Sequence, residues 1–301
     1  MRTSFLSTLI LLMLLAQSAV AEDVEEAPAK PGHSSLEKRF DYERSVSDNP
    51  FVIIPHKPNY LLPYTYNSHP NNEPFTDTAG KLDNSEVKFQ FSFKLPLARD
   101  IFHNNGELYF AYTNLSFWQA YNDDLSSPFR ETNHEPELIL AGRNDWNIFG
   151  LTNAHNALGI VHQSNGQSGL KSRSWNRVYA LITLARGSFA MALKPWWRIP
   201  EDDKKSPNDT DGDDNPDIHR YMGYGELYLF YKAHQHTFGV MVRNNLHSDE
   251  NRGAVQLDWT FPLTDKFKGY IQYFNGYGES LIDYNASSNR IGIGIVLTDW
   301  L

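Results

Sequence analysis

The chain contains no cysteine. An exported protein of this size without disulfides must take its stability from backbone pairing and packing. Long hydrophobic runs are missing too. Beyond the first residues, no stretch approaches the roughly 18 to 20 apolar residues that a membrane-spanning helix needs. Positive charge is in short supply: a formal net charge of -9 argues against nucleic acid as a partner. It does not argue against lipid, which a β-barrel enters through an apolar outer belt.

Against these absences stands a rich aromatic content, 14%, which suits interfacial girdles of Tyr, Trp and Phe. At the start, Arg2 supplies a basic region, Leu9 to Leu15 a short apolar core, and Ala19-Val20-Ala21 a small-residue cleavage site. Residues 1–21 therefore read as a secretory signal, with the mature chain starting near Glu22. Residues 22–48 are charged and Pro-containing with little periodicity, and read as a mobile periplasmic extension. Asn49 to Asn84 is rich in Pro, Asn and Tyr and reads as a lead-in holding the first strand. A single β-barrel domain is expected over 49–301.

Strict alternation follows. Phe89, Phe91, Phe93, Leu95 and Leu97 alternate with Lys88, Gln90, Ser92, Lys94 and Pro96. Val255, Leu257, Trp259, Phe261 and Leu263 alternate with Ala254, Gln256, Asp258, Thr260 and Pro262, and Ile291, Ile293, Ile295 and Leu297 alternate with Arg290, Gly292, Gly294 and Val296. Period two with one apolar face is a strand between two different media. A soluble sandwich gives the same pattern in any one strand. Strands of about ten residues, joined by alternately short and long connectors, favour a membrane barrel. Phe261 to Lys266 reads as a tight turn, and the acidic stretch Glu201 to Asp217 as a long outer loop. At about 20 residues per strand and connector, the chain holds roughly a dozen strands, an even number as bacterial barrels prefer.

Residues two apart on a strand share a face. His162 and Ser164 therefore continue the face of Leu158 and Ile160, and on the next strand Asn176 shares a face with Val178, Ala180, Ile182 and Leu184. Apolar faces turned to lipid would put all three polar groups on the outside of the wall. The trio is chemically complete. A serine hydroxyl needs a neighbouring base, histidine titrates in the right range, and an asparagine carbonyl can hold the imidazole tautomer. No G-x-S-x-G surrounds Ser164, so the α/β-hydrolase route is closed. A hydrogen-bonded polar pair at the rim is the bland alternative.

The segments His162-Gln163-Ser164-Asn165-Gly166 and Ser172-Arg173-Ser174-Trp175-Asn176-Arg177 closely resemble the active-site region of the bacterial outer-membrane phospholipase A family. Ser126 to Asn133, Asp214 to Ile218 and Gly276 to Asn285 are similar to that family as well. The resemblance implies a twelve-stranded antiparallel transmembrane β-barrel in the outer membrane of a Gram-negative bacterium. It implies calcium-dependent hydrolysis of sn-1 and sn-2 acyl esters of glycerophospholipids and lysophospholipids, by a homodimer. On the family's pattern Ser164 is the nucleophile, His162 the base and Asn176 its orienter. Calcium would take the carbonyl of Ser126 from a second subunit, a carbonyl at Gln167 and the hydroxyl of Ser172, with a further site at Asp214. The run Asp209 to Asp214 resembles a calcium loop, but its Gly comes too early for an EF-hand. A catalytically silent porin or transporter barrel is the rival from another class, and a soluble lipid-binding β protein is a second.

Overall fold

The computed structural model describes residues 34–49, 51–75, 81–206, 209, 211–264 and 267–301. The expected signal, residues 1–21, lies outside them. Twelve antiparallel strands follow in chain order: β1 (Asn59–Asn67), β2 (Ser85–Ala98), β3 (Glu107–Trp118), β4 (Phe129–Ile148), β5 (Leu151–Ser164), β6 (Ser174–Arg186), β7 (Phe189–Ile199), β8 (Gly225–Ala233), β9 (His236–Asn244), β10 (Gly253–Pro262), β11 (Lys268–Tyr277) and β12 (Ser287–Thr298). Each pairs with its sequence neighbours, and β12 pairs back onto β1, closing the ring. The expected twelve-stranded barrel is what forms. A two-residue strand, Ile54–Pro55, lies against β2 at Lys94 and Phe93, beyond the stretch that the shorter β1 covers.

Alternation becomes two faces. Phe91, Leu158, Ile160, Leu257, Trp259, Ile291 and Ile293 point outward and are exposed, while Lys88, Ser92, Arg177, Thr260 and Arg290 point inward and are buried. Such an apolar outer belt is stable only against lipid. Among the described residues no helix is long and apolar enough to cross a membrane, so the strands do the crossing. Connectors alternate as expected. The short connectors β4–β5, β6–β7, β8–β9 and β10–β11 mark one rim, and the longer ones β5–β6, β7–β8 and β11–β12 mark the other. Aromatics gather at both ends. Phe238 and Trp259 stack at 6.2 Å near the short turns, and Tyr64 and Tyr121 lie 6.4 Å apart near the long loops.

Toward the long loops the interior is filled by paired charges. Lys88 and Arg290 hold Glu279 at 2.9 Å each, Arg290 and Arg130 hold Glu86 at 2.8 and 2.6 Å, and Arg130 reaches Asp283 at 2.6 Å. Each charge has an opposite partner, which is the condition for burying any of them. Glu279 and Asp283 come from loop 278–286, which folds into the mouth and buries Leu281 and Ile282.

The opposite mouth is closed by helix α1 (Ser35–Val46), and here the reading of 22–48 as a mobile extension fails for the residues described. Ser34 and Glu37 form a capping box that starts the helix. Leu36 packs on Ala185, Ala190 and Phe230, and Phe40 stacks on His155 at 4.5 Å. Arg39 donates to the carbonyl of Trp300 at 2.9 Å, and Lys94 meets Glu43 at 2.6 Å. The helix is charged because the lumen it enters is charged.

Candidate active site

β5 and β6 pair with His162 opposite Asn176, Gly159 opposite Tyr179 and Ser164 opposite Ser174. The inner faces fix this register. Trp175 is fully buried, packs edge-on against Trp196 at 6.1 Å, and donates through Nε1 to Gln163 at 2.7 Å. Gly159 lets the strands lie close: a Cβ there would stand 2.3 Å from the Tyr179 ring. The Tyr179 hydroxyl in turn donates to Glu137 at 2.8 Å. A packed interior thus holds the outer surface steady.

On that surface Leu158 and Ile160 are exposed, and His162 follows on the same face, also exposed. Ser164 and Asn176 are half-buried. The sequence reading of which faces turn outward holds for β5 and β6. His162 Nδ1 lies 2.8 Å from Asn176 Oδ1. An amide oxygen only accepts, so with the Asn176 amide in this orientation Nδ1 is the donor, and in the neutral ring Nε2 is left as the acceptor. Asn176 Nδ2 donates to Glu201 Oε1 at 3.0 Å. Ser164 stands two residues from His162, and its hydroxyl makes no hydrogen bond among the described residues. Catalytic hydrogen bonds are often long in ligand-free enzymes and tighten with substrate.

Two neighbours escaped the sequence reading. His134 on β4 stands opposite Ser164, with the Tyr112 hydroxyl 2.7 Å from its Nδ1. Only strand pairing could bring it there. Glu201 by composition belongs to the acidic loop. Its signal was legible as the continuation of the outward face Trp197, Ile199, Glu201.

Loop 165–173 is pinned by Asn165, whose Oδ1 accepts from the backbone of Gln167 at 3.2 Å and Arg173 at 3.0 Å. Of the expected metal ligands, Ser172 and Asp214 come together: Ser172 Oγ donates to Asp214 Oδ2 at 2.8 Å, and Ser174 Oγ reaches the same oxygen at 3.0 Å. Lys204 holds the other oxygen at 2.5 Å. Burial alone would raise the Asp214 carboxyl, but the hydrogen bonds from Lys204, Ser172 and Ser174 bring it below its ordinary value. Gln167 shares the loop with Ser172. Ser126 sits in a separate connector at φ 58, and among the described residues it makes no hydrogen bond to the other three. In the acidic run, Asp213 pairs with Arg198 at 2.5 Å and Asp209 accepts from Ser206. Among the described residues no three or more His, Cys, Asp or Glu side chains gather as a metal cluster.

A family model described as Phospholipase A1 matches residues 36–297 of the chain. Phospholipase A1 of Escherichia coli K12 is 37% identical over 286 residues, which cover 94% of this chain and 93% of that protein. The solved Salmonella typhi outer membrane phospholipase, a dimer with bound calcium, superposes with a TM-score of 0.76 at 38% identity, covering 84% of this chain and 94% of its own. The Escherichia coli outer membrane phospholipase A, solved as an asparagine-to-alanine active-site mutant, superposes at 0.79 with 35% identity, over 89% of this chain and all of its own.

Proposed function

The chain belongs to the phospholipase A1 family, and on that premise we propose that it hydrolyses sn-1 and sn-2 acyl esters of membrane glycerophospholipids on the outside of its barrel wall. Ser164 Oγ attacks the ester carbonyl. His162 Nε2 takes the serine proton and delivers it to the leaving alcohol, which frees the lysophospholipid. Water, activated by the same nitrogen, then releases the fatty acid and restores Ser164. Asn176 holds the Nδ1–H, so that Nε2 is always the accepting nitrogen.

The observation that carries this reading is the 2.8 Å contact between His162 Nδ1 and Asn176 Oδ1 beside exposed Leu158 and Ile160. An oriented base on an apolar outer surface has little use except toward a lipid neighbour. The paired Lys88, Arg130 and Arg290, which cross the lumen toward the long loops, speak against a porin.

The donors suit a hard cation: the Ser172 hydroxyl and the backbone oxygen of Gln167 are oxygen ligands of the kind calcium takes, while Asp214, the further site, has its oxygens engaged by Lys204, Ser172 and Ser174. In the proposed assembly two copies meet along this wall, and the carbonyl of Ser126 comes from the second copy. Calcium, when bound, supplies positive charge beside the oxyanion that develops on the substrate.

The test is Ser164→Ala. The variant should fold and migrate anomalously on an unheated gel, as barrels do. Its hydrolysis of phospholipid with calcium should fall by at least ~10^3-fold. Unchanged hydrolysis in the purified variant removes Ser164 from the mechanism.

A further inference from the structure

Asn176 has two hydrogen-bonding ends, and they differ only in which atom is oxygen. With Oδ1 toward His162, the imidazole keeps its proton on Nδ1 and can accept at Nε2. With the amide turned over, the NH2 would face Nδ1 and favour the tautomer protonated at Nε2, which cannot take a proton from serine. A neutral orienter is therefore ambiguous in a way that a carboxylate is not. Something must choose its direction.

We propose that Glu201 makes that choice: it is a positioning residue that holds the Asn176 amide in the productive direction and so sets the tautomer of His162. Glu201 Oε1 accepts from Asn176 Nδ2 at 3.0 Å. A carboxylate only accepts, so turning the amide over would set an oxygen against an oxygen. The placement follows from the strands. Asn176 is paired with Ile199 across β6 and β7, and Glu201 stands two residues further on, on the same outward side as exposed Trp197. Pro200 cannot donate to the ladder and ends it there. The loop beyond is tied back, because the Asp213 N–H donates to the Asp202 carbonyl at 2.8 Å and Arg198 holds Asp213 at 2.5 Å. Glu201 is thus held at the strand end. Its charge, one amide away from the imidazole, also favours the imidazolium that forms when Ser164 gives up its proton.

This inference rests on the Ser164, His162 and Asn176 reading, and the experiment separates the two. Lipolysis is measured for Glu201→Ala, Glu201→Gln and Ser164→Ala, with Glu201→Ala repeated in the Asn176→Ala background. The imidazole nitrogens of His162 are read by 15N NMR in detergent micelles and assigned with His162→Gln. Glu201→Ala should lower kcat ~10-fold with KM unchanged, the worth of one charge-assisted hydrogen bond. Glu201→Gln should lose less, because its carbonyl can still accept. In the Asn176→Ala background Glu201→Ala should change nothing. The His162 ring should go from one Nδ1–H form to a mixture. A wild-type kcat and an unmixed tautomer in Glu201→Ala overturn the assignment, as does a loss that persists without Asn176. Full lipolysis by Ser164→Ala would instead sink the triad itself.

Discussion

Each member of the site loses something different on substitution. In the proposed mechanism His162 moves a proton, whereas Asn176 only holds the ring through one hydrogen bond of 2.8 Å. We expect His162→Ala to cost at least ~10^3-fold in kcat and Asn176→Ala ~10- to 100-fold. Added to Ser164→Ala, neither should cost anything more, because in that mechanism the three act as a unit. Steady-state lipolysis of the single and double variants checks this, and additive losses would show that the residues belong to separate sites. His134 also faces Ser164, but a tyrosine hydroxyl rather than a fixed carbonyl meets its Nδ1. The H-x-S spacing and the outward face were legible from period two alone. His134 was not, because it arrives from another strand and sequence spacing says nothing of register.

Among the elements, the strands announced themselves and the helix did not. Alternation in Phe89 to Leu97 or Ile291 to Leu297 reports two media directly. Helix α1 carries Glu37, Lys38, Arg39, Asp41, Glu43 and Arg44, which by composition describe a solvated segment. Leu36 and Phe40 dock on apolar neighbours, but the helix's charged residues find partners as well, because a barrel lumen buries charge that a soluble core would exclude. The Ser34 and Glu37 capping box was the one local signal available. Glu43 makes the docking sensitive to acid. Burial would raise its pKa, but Lys94 and Arg39 outweigh that and hold it at about 2 against an ordinary 4.5. A folded pKa below the unfolded one means that this stabilisation is complete above ~4.5 and fades as pH falls through about 2. Hydrogen exchange of α1 should therefore stay slow above that window and quicken within it, while the strands remain protected. Lys94→Met leaves the carboxylate less compensated. It should weaken docking by ~3 kcal/mol and move the transition to higher pH. Exchange in α1 that ignores pH across the window would contradict this.

For the whole molecule, calcium and association form one question. If an ion takes oxygens from Gln167 and Ser172 on one copy and Ser126 on another, its site exists only in the dimer. Calcium binding and dimerisation must then strengthen each other by the same factor. Ser172→Ala should raise the calcium needed for half-maximal activity at least ~10-fold and weaken calcium-induced dimerisation in parallel. Ser126→Ala should do much less, because a backbone carbonyl survives the change. Sedimentation in detergent against a calcium titration reads both. A dimer population that ignores calcium while activity requires it would leave the ion a catalytic role alone.

The closing pair of strands governs how such a chain can be made. Asn59 Nδ2 donates to Thr298 Oγ1 at 2.8 Å across 239 positions of sequence, and the β1–β12 ladder around it is the last that synthesis can supply. Until then the growing sheet has two free margins. In hydrocarbon every unpaired backbone group along them costs several kcal/mol. Insertion is accordingly all-or-none with respect to the final strand. A chain cut short by one strand is not a weaker enzyme but a molecule with no place in the bilayer, and the membrane itself performs the inspection.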